Sequence, residues 1–532
     1  MKKFYFRLIT LAAALVLLSG CVQLKNTMGF SRDGETRYSD MVYTRSDLVR
    51  LQQILDDALL AAKGNDFNSI LDSIYAFNEF YDDFYTNYSL ADIKYCADLT
   101  DLYWEDEYEF CAGSSPEVEA ALEELYRGLA QSPCRADLEA EEYFGAGFFD
   151  AYEGESVWEE GLEALLDREA ELQSRYYELS DEAMDYEPGT QAYYDACGGE
   201  MAELLVELIA LRQQIAACWG YDSYPEFASD FYHYRDYNIE EAENYLEQIR
   251  QELVELYVEV CESRRWEAGR VLCAEEETFG YVRNVASAMG GDVRQAFRLL
   301  ERAGLYDIAW GENKYPSSFS VYLTSYWEPF VFMNPSMTQW DKLTFAHEFG
   351  HFCNDYLSWG SYAGTDVAEI LSQGMEYLSL CYAENAGELV WLKLADSLCL
   401  MVEQGAFASF EQQMYGLQGD ALTVENLRRL YADVAEDFGF DSLGFCDWEF
   451  VTINHYYTNP MYIISYVVSN DGALQLYQME LEEPGTGLAC YQENLDTEET
   501  YLLEFLSSAG LKSPFAPGRV AEIRATLEQL LK

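Results

Sequence analysis

Apolar residues recur every three to four positions along most of the chain, which is the spacing of amphipathic α-helices. The first such stripe follows Ser46, which is placed to cap a helix, and ends before Gly64. Its apolar positions are Leu48, Leu51, Leu55, Leu59 and Ala62. A later helix is predicted to begin after Asn238, because Asn238 and Glu241 have the spacing of a capping box. Further helices are predicted at Val157–Leu179 and at about Gln191–Ala217.

Alternation of apolar and polar residues, which is typical of a half-buried strand, is scarce in this sequence. The two best runs are Ser318–Leu323 and Pro329–Met333, joined by a turn around Ser325–Glu328. They directly precede a predicted helix over Thr338–Tyr356. We therefore predict a mainly α-helical protein with one small β-sheet next to this helix.

The N-terminus has the features of an export signal. Three basic residues precede the apolar run Leu8–Leu18, which is shorter than the roughly 20 residues that span a bilayer. The run ends in Leu18-Ser19-Gly20-Cys21, which resembles the lipobox of bacterial lipoproteins. The resemblance implies cleavage before Cys21, a lipid on its sulfur and anchoring in the bacterial cell envelope outside the cytoplasm. We assign residues 1–20 to the signal peptide and residues 21–44 to a tether; an ordinary signal peptide with a chance cysteine is the alternative.

Charge excludes one class of partner. The chain has 33 basic and 95 acidic residues, so its net charge is −62. Such a surface repels phosphates, and we expect no binding to nucleic acid. We interpret the acidity as that of a solvated exterior. An acidic cleft that attracts basic peptides is the alternative interpretation.

The thirteen cysteines form no C-x-x-C pair, so a cysteine-rich zinc site is not indicated. Outside the cytoplasm some pairs are expected to form disulfides, and Cys96, Cys111 and Cys134 are the favoured group because they are close in sequence.

The predicted helix before residue 357 contains a metal-binding pattern. It reads His347-Glu348-Phe349-Gly350-His351, and a helix places the two histidines one turn apart on one face. Glu348 lies beside them, where a carboxylate is able to take a proton from a water activated by zinc. The chain has only four histidines, at 233, 347, 351 and 455, so a chance pair at this spacing is improbable. Two histidines on an ordinary surface helix remain the alternative.

A catalytic zinc site needs a third protein ligand. After the turn at Gly360 and Gly364, a second helix is predicted from about Thr365, and it carries Glu369 and Glu376 on one face. The spacing alone leaves both glutamates as candidates.

These residues resemble the thimet oligopeptidase and oligoendopeptidase F family of zinc peptidases. The family motif has a glutamate followed by Ser-Gln and another glutamate, which here are Glu369, Ser372, Gln373 and Glu376. The resemblance makes Glu369 the third ligand of one Zn²⁺ and makes Asp366 and Glu376 candidate partners of the histidines. It also makes the run Phe330–Asn334 an edge strand that lies along the bound peptide.

A second resemblance lies downstream, where His455, Tyr462 and Tyr466 are similar to the C-terminal His and Tyr cluster of the oligoendopeptidase F branch. Imidazole and phenol groups are suited to stabilise a developing oxyanion. Tyr457 is a weaker candidate, and His233 is interpreted as structural.

The family implies a two-lobed helical zinc-peptidase shell with a deep central channel. We assign residues 45–185 to an N-terminal helical lobe and residues 186–532 to the zinc-peptidase catalytic region. The implied function is an endopeptidase that hydrolyses short oligopeptides, with Glu348 as general base. The alternatives are a non-catalytic peptide-binding lipoprotein on the same fold, a zinc aminopeptidase or carboxypeptidase, and a structural surface protein.

Overall fold

The computed structural model describes residues 36–141, 144–152, 160–183, 186, 190–361, 363–444 and 446–532. The predicted signal peptide, Cys21 and the first part of the tether lie outside the described residues, so export and lipid attachment stay predictions. The first three residues of the helix predicted at Val157–Leu179 also lie outside them. Within these ranges no helix has the length and the apolar character required to cross a bilayer.

The first helices pack together around a core of their own. They are α1 (Leu48–Ala62), α2 (Phe67–Ala97), α3 (Leu102–Ala130) and the one-turn α4 (Arg135–Leu138). Asp47, rather than the predicted Ser46, caps α1, because its carboxylate accepts from the backbone N–H groups of Val49 and Arg50. The buried apolar side chains of this core run from Leu51 to Phe149.

The next helices belong to a second and larger core. They are α5 (Glu160–Glu182), α6 (Gln191–Tyr193), α7 (Gly199–Cys218), α8 (Tyr224–Phe231), α9 (Ile239–Cys261), α10 (Glu275–Met289) and α11 (Gly291–Ala303). The capping box predicted at Asn238 and Glu241 is confirmed at the start of α9. Helix α5 packs against α7 in this larger core. The predicted division at residue 185 stays a prediction.

One small sheet precedes the helix with the histidines. Its strands are β1 (Tyr306–Asp307), β2 (Ser318–Leu323) and β3 (Glu328–Met333), in the order β1-β3-β2. The predicted hairpin of β2 and β3 is confirmed, since Ser318 pairs with Met333 and Leu323 with Glu328 in antiparallel register. The prediction that the run Phe330–Asn334 is an edge strand is wrong, because β1 pairs in parallel with Val331 and Phe332 on the other side of β3. The short β1 has no alternating pattern from which it could be predicted, and β2 is the edge strand beside β3.

The remaining helices complete the larger core. They are α12 (Asp341–Leu357), α13 (Thr365–Tyr382), α14 (Leu389–Met414), α15 (Val424–Asp437), α16 (His455–Thr458), α17 (Ile464–Glu482), α18 (Thr486–Glu493), α19 (Leu502–Ser508) and α20 (Arg519–Leu530). Helix α12 begins at Asp341 and not at Thr338, because the Asp341 carboxylate accepts from the backbone N–H groups of Ser336 and Thr338 and so holds them in a turn. The mainly α fold with one small sheet next to α12 is confirmed.

The predicted disulfide group is not found. All twelve cysteines in the described part of the chain have free thiols. Cys96 packs in the larger core, whereas Cys111 and Cys134 pack in the smaller one. Closeness in sequence is therefore a poor guide to pairing here, because buried cysteines also serve as small apolar side chains.

Candidate active site

Two packed helices bring three metal-binding side chains together. His347 and His351 project from one face of α12, and Glu369 reaches them from α13. The helices are in contact at Gly350, where an added Cβ would lie 2.6 Å from the Cα of Ser372. A larger residue at this position would force α12 and α13 apart.

The three side chains fit a zinc ion. One ligand atom from each of His347, His351 and Glu369 lies within 4.8 Å of the others, and His347 Nε2 is 3.6 Å from Glu369 Oε2. Tetrahedral zinc with bonds of about 2 Å separates its ligand atoms by roughly 3.3 Å. Two imidazoles and one carboxylate are also a donor set of catalytic zinc sites, which keep a fourth position open.

Glu376 contacts one of these histidines from the side away from Glu369. His347 Nδ1 is 2.8 Å from Glu376 Oε1, and Lys393 Nζ on α14 is 2.9 Å from Glu376 Oε2. The spacing had left Glu369 and Glu376 open as third ligand; Glu369 lies on the Nε2 side of His347, near His351, whereas Glu376 lies on the Nδ1 side, where a carboxylate orients the ring. Lys393 is 1% exposed and Glu376 is 8% exposed, so both partners are buried.

The carboxylates set the pKa values of the two histidines apart. Burial disfavours the charged form of His347, but the Glu376 hydrogen bond and the charge of Glu369 outweigh burial and raise its pKa to about 9. Burial and the neighbouring His347 lower the pKa of His351 to about 4. For Glu376, burial is outweighed by Lys393 and His347, which hold its pKa below the usual range.

Glu348 is buried beside the histidines and is held from the sheet. Ser318 Oγ, at the start of β2, donates to Glu348 Oε1 at 2.8 Å. Burial raises the pKa of Glu348 to about 7, although His347 and the Ser318 hydrogen bond oppose the shift. A carboxyl group with this pKa exchanges protons readily near neutral pH.

The serine of the Ser-Gln motif has a structural role. Ser372 Oγ donates to Glu369 Oε2 at 3.3 Å from the next turn of α13. The other carboxylate oxygen, Glu369 Oε1, accepts from Tyr462 OH at 3.3 Å. Glu369 is thus held from both sides, and Tyr462 is brought to the metal site.

The predicted C-terminal cluster also assembles at this place. Helix α17 packs along α13, and Tyr466 OH lies 3.4 Å from His455 Nε2. The rings of Tyr462 and Tyr466 are 5.1 Å apart. Burial lowers the pKa of His455 to about 4, so its imidazole is neutral at physiological pH.

Three other predicted residues have their polar contacts outside this cluster, although the ring of His233 packs edge-on near that of Tyr462, 6.1 Å between centroids. Asp366 contacts Tyr237 OH at 3.0 Å and Arg235 Nε at 3.9 Å rather than the metal-site histidines. Tyr457 is buried with its ring stacked on Tyr176, and His233 Nε2 is 2.9 Å from Pro460 O.

Sequence reasoning missed the side chains that hold the backbone between His455 and Tyr466. Arg212 donates to the carbonyls of Tyr456 and Tyr457, each at 2.5 Å, and pairs with Glu169 at 2.6 Å. Arg212 lies on an apolar helix face, and Lys393 also follows an apolar run. A charged residue at a position expected in the core was the sequence signal that could have identified both as buried supporting residues.

Met461 is held from two sides. Arg235 donates to Met461 O at 2.7 Å, and Glu411 accepts from Met461 N at 2.7 Å. Met461 has a φ of 65°, which is rare for a residue with a side chain, so these contacts stabilise an unfavourable backbone conformation.

The chain is similar to one family model and to several solved structures. Residues 38–156 match the family described as the Peptidase M3 N-terminal domain. No curated protein sequence matches the chain. Solved structures do match: one provisionally assigned as an oligoendopeptidase F is 21% identical with a TM-score of 0.77, covering 93% of this chain and 98% of its own.

Two further structures are similar over the same length. PZ peptidase A with an inhibitor is 19% identical with a TM-score of 0.76, covering 93% of this chain and 99% of its own. A provisional oligoendopeptidase F from Bacillus anthracis str. Ames is 20% identical with a TM-score of 0.72, covering 94% of this chain and 98% of its own. The fold is therefore that of the oligoendopeptidase F structures. With the N-terminal match to M3 peptidases, this confirms the resemblance drawn from the motifs.

Proposed function

We propose that the protein is a zinc-dependent endopeptidase that hydrolyses short oligopeptides outside the cytoplasm. The observation that carries the proposal is the convergence of His347, His351 and Glu369 on one position, with the buried carboxylate of Glu348 beside them. A protein that only bound peptides would have no use for a proton acceptor at this place.

The residues would hold zinc in a definite arrangement. Zinc held by His347, His351 and Glu369 supplies Lewis-acid activation of water and of a carbonyl group. Glu376 fixes the ring of His347 through Nδ1, and Lys393 fixes Glu376 in turn. The metal ligands are therefore oriented before any substrate arrives, which reduces the reorganisation needed during the reaction.

Glu348 moves the proton. Glu348 Oε1 already accepts a hydrogen bond from Ser318, so Oε2 is the oxygen that accepts the proton of the attacking water. Glu348 then donates this proton to the amine of the departing peptide half. A pKa near 7 suits both steps, because the carboxyl group gains and loses the proton at similar free energy.

The C-terminal cluster supplies hydrogen-bond donors to the carbonyl oxygen of the scissile bond. The Tyr466 phenol lies against the neutral His455, and burial raises its pKa well above the usual range, so it stays protonated. Tyr462 also contacts Glu369, which places the cluster at the metal site. Donors fixed in this way stabilise the charge that develops on the oxygen.

Strand β2 is the proposed docking edge for the peptide backbone. It pairs with β3 on one side, and its first residue contacts Glu348. An extended peptide added along β2 would pass Glu348 with its backbone hydrogen-bonded, as in β-strand addition. Family resemblance adds the deep channel that would restrict access to short, unfolded peptides.

The decisive experiment compares the full chain with its Glu348→Gln variant. We expect the parent to hold zinc and to cut peptides of a quenched library at internal bonds, identified by mass spectrometry of the products. The variant should keep zinc and cleave peptides about 10²–10⁴-fold more slowly, because glutamine matches the shape of glutamate without accepting a proton.

The other outcomes select between the alternatives. Removal of single terminal residues would favour an aminopeptidase or carboxypeptidase. Binding of peptides without cleavage by the parent would favour the peptide-binding lipoprotein, and absence of zinc would overturn the site. For location, Cys21→Ala should move the protein from the membrane fraction to the soluble fraction; an unchanged distribution would contradict lipid anchoring at this residue.

A further inference from the structure

A second group of metal-binding side chains lies between α9 and α14, on elements that do not carry the predicted zinc ligands. Cys261 is the last residue of α9, and Cys399 and Glu403 lie one turn apart on α14. The two sulfur atoms are 4.0 Å apart, and one ligand atom from each of the three residues lies within 4.8 Å of the others. None of these residues takes part in the proposed peptide hydrolysis.

The carboxylate of this group is oriented by a neighbour. Tyr257, one turn before Cys261 on α9, donates from its phenol to Glu403 Oε1 at 2.8 Å. The two helices thus present one pair each, Tyr257 with Cys261 and Cys399 with Glu403, and the pairs face one another. Hydrogen bonds from outer groups to ligating carboxylates are a regular feature of metal sites.

The surroundings favour a cation. Cys261 lies at the C-terminal end of α9, where the carbonyl groups of the last turn carry partial negative charge. The groups that act electrostatically on Cys261 and Glu403 are thiol, phenol and carboxylate groups, among them the carboxylate of Asp396. Farther out, Glu449 has a buried carboxylate oxygen, Oε2, with no hydrogen-bond partner in the described structure.

The donor atoms indicate the kind of cation. Thiolate sulfur selects soft and borderline metals, and zinc accepts cysteine sulfur together with carboxylate oxygen. Tetrahedral zinc with bonds of about 2.3 Å to sulfur separates two sulfur atoms by roughly 3.8 Å, close to the separation found here. Calcium and magnesium prefer sites made of oxygen alone.

We propose that Cys261, Cys399 and Glu403 form a second metal site, for Zn²⁺ or a similar thiophilic divalent cation. On binding, the two thiols release their protons to solvent and the cation takes their place. The bound cation ties the end of α9 to α14, the helix that also supplies Lys393 to the predicted zinc site. Its role is therefore to stabilise the packing of these two helices.

Cadmium titration of the reduced full chain tests this site apart from the His-His-Glu site. Cadmium bound to thiolates has an ultraviolet charge-transfer band, and the ligands His347, His351 and Glu369 contain no sulfur. We expect a saturable band with about one equivalent of cadmium bound through sulfur. The band should persist in His351→Ala and should disappear in the Cys261→Ser, Cys399→Ser double variant.

A matched control excludes adventitious binding to other thiols. Cys381→Ser changes an exposed cysteine on α13 and should leave the band unchanged. As a readout without spectroscopy, zinc should raise the melting temperature of His351→Ala but not that of His351→Ala combined with Cys399→Ser.

Three results would overturn the proposal. One is the absence of a band in the fully reduced parent, which needs no variant to fold. Another is a band that survives in the double variant. The third is a Cys261–Cys399 disulfide in the isolated protein, found by peptide mapping, together with no cadmium binding after reduction. Because His351→Ala separates the two sites, failure here leaves the peptidase proposal untouched.

Discussion

The two regions that form the candidate active site are built in different ways. The predicted zinc-binding region consists of α12 and α13, whose regular helical spacing places His347, His351 and Glu369. The proposed oxyanion region, residues 455–466, joins the one-turn α16 to α17 through an irregular backbone. Its carbonyl groups are held by side chains more than 200 residues away, such as Arg212.

The difference indicates which substitutions should damage each region. A helix satisfies its own backbone hydrogen bonds, so the backbone of the zinc-binding region needs no distant partner, and α12 and α13 are in direct contact at Gly350. The oxyanion region leaves backbone groups unpaired within itself, and these must be satisfied by buried side chains elsewhere. Changes in the first region should affect metal binding, and changes in the support of the second should affect turnover and stability.

The largest effect is expected from His351→Ala. This change removes one of three predicted ligands and should abolish peptide hydrolysis, measured by cleavage of a quenched peptide, and lower the metal content by about one zinc per chain relative to the parent. The matched control is His455→Ala in the oxyanion region. This variant should retain zinc, and its kcat should fall about 10²–10³-fold. Loss of zinc in both variants would break the distinction between the two regions.

Arg212→Met tests the support of the oxyanion region. It leaves Glu169 buried without its partner and removes the donor to Tyr456 O, while Tyr457 O keeps Gln173, which should cost about 3–5 kcal/mol of folding free energy, measured by denaturant unfolding. Zinc content of the folded fraction should be unchanged. Arg168→Met is the control, since Arg168 pairs with Glu207 between the same helices but is 46% exposed, and should cost at most about 1 kcal/mol. Equal losses in the two variants would contradict the prediction.

Lys393→Met tests the outer support of the zinc-binding region. Without Lys393 the carboxylate of Glu376 is left with one partner, His347, and zinc affinity should fall about 10–100-fold in a competition assay with a chelator. Asp396→Asn removes only a 3.9 Å contact to the same lysine from a side chain that is 44% exposed, so it should leave the affinity unchanged. A similar fall in Asp396→Asn would assign the effect to the net charge of α14.

The smallest effect concerns pH. Burial raises the pKa of Glu411 from 4.5 to about 7. The folded protein therefore holds this proton more tightly than the unfolded chain. The stability that Glu411 contributes is full below pH 4.5 and is lost as the pH rises through 7.

Glu411→Gln removes this titration and keeps an acceptor for Met461 N. Its stability relative to the parent should rise between pH 4.5 and 8 by on the order of 1–3 kcal/mol, measured by thermal unfolding across that range. The exposed Glu425→Gln should follow the parent. A Glu411→Gln curve parallel to that of the parent would show that folding does not raise the pKa of Glu411.

Much of the helical architecture was predictable because its signals are local. The capping box at Asn238, the hairpin of β2 and β3, and the helix from Thr365 each depend on residues within one or two turns. Strand β1 was not predictable, because its two residues pair with β3 through a connection of about twenty residues. For the same reason the edge of the sheet was assigned to the wrong strand.

By itself the sequence determined the helices of the zinc-binding region and the pair of histidines, since a repeat of 3.6 residues fixes which side chains share a face. It also narrowed the third ligand to two glutamates. The family resemblance favoured Glu369 of the two. The tertiary structure places Glu369 against Nε2 and Glu376 against Nδ1 of His347, a difference that the spacing did not determine. It alone revealed the buried Lys393, Arg212 and Glu411, because a buried charge is stabilised by partners from distant parts of the chain.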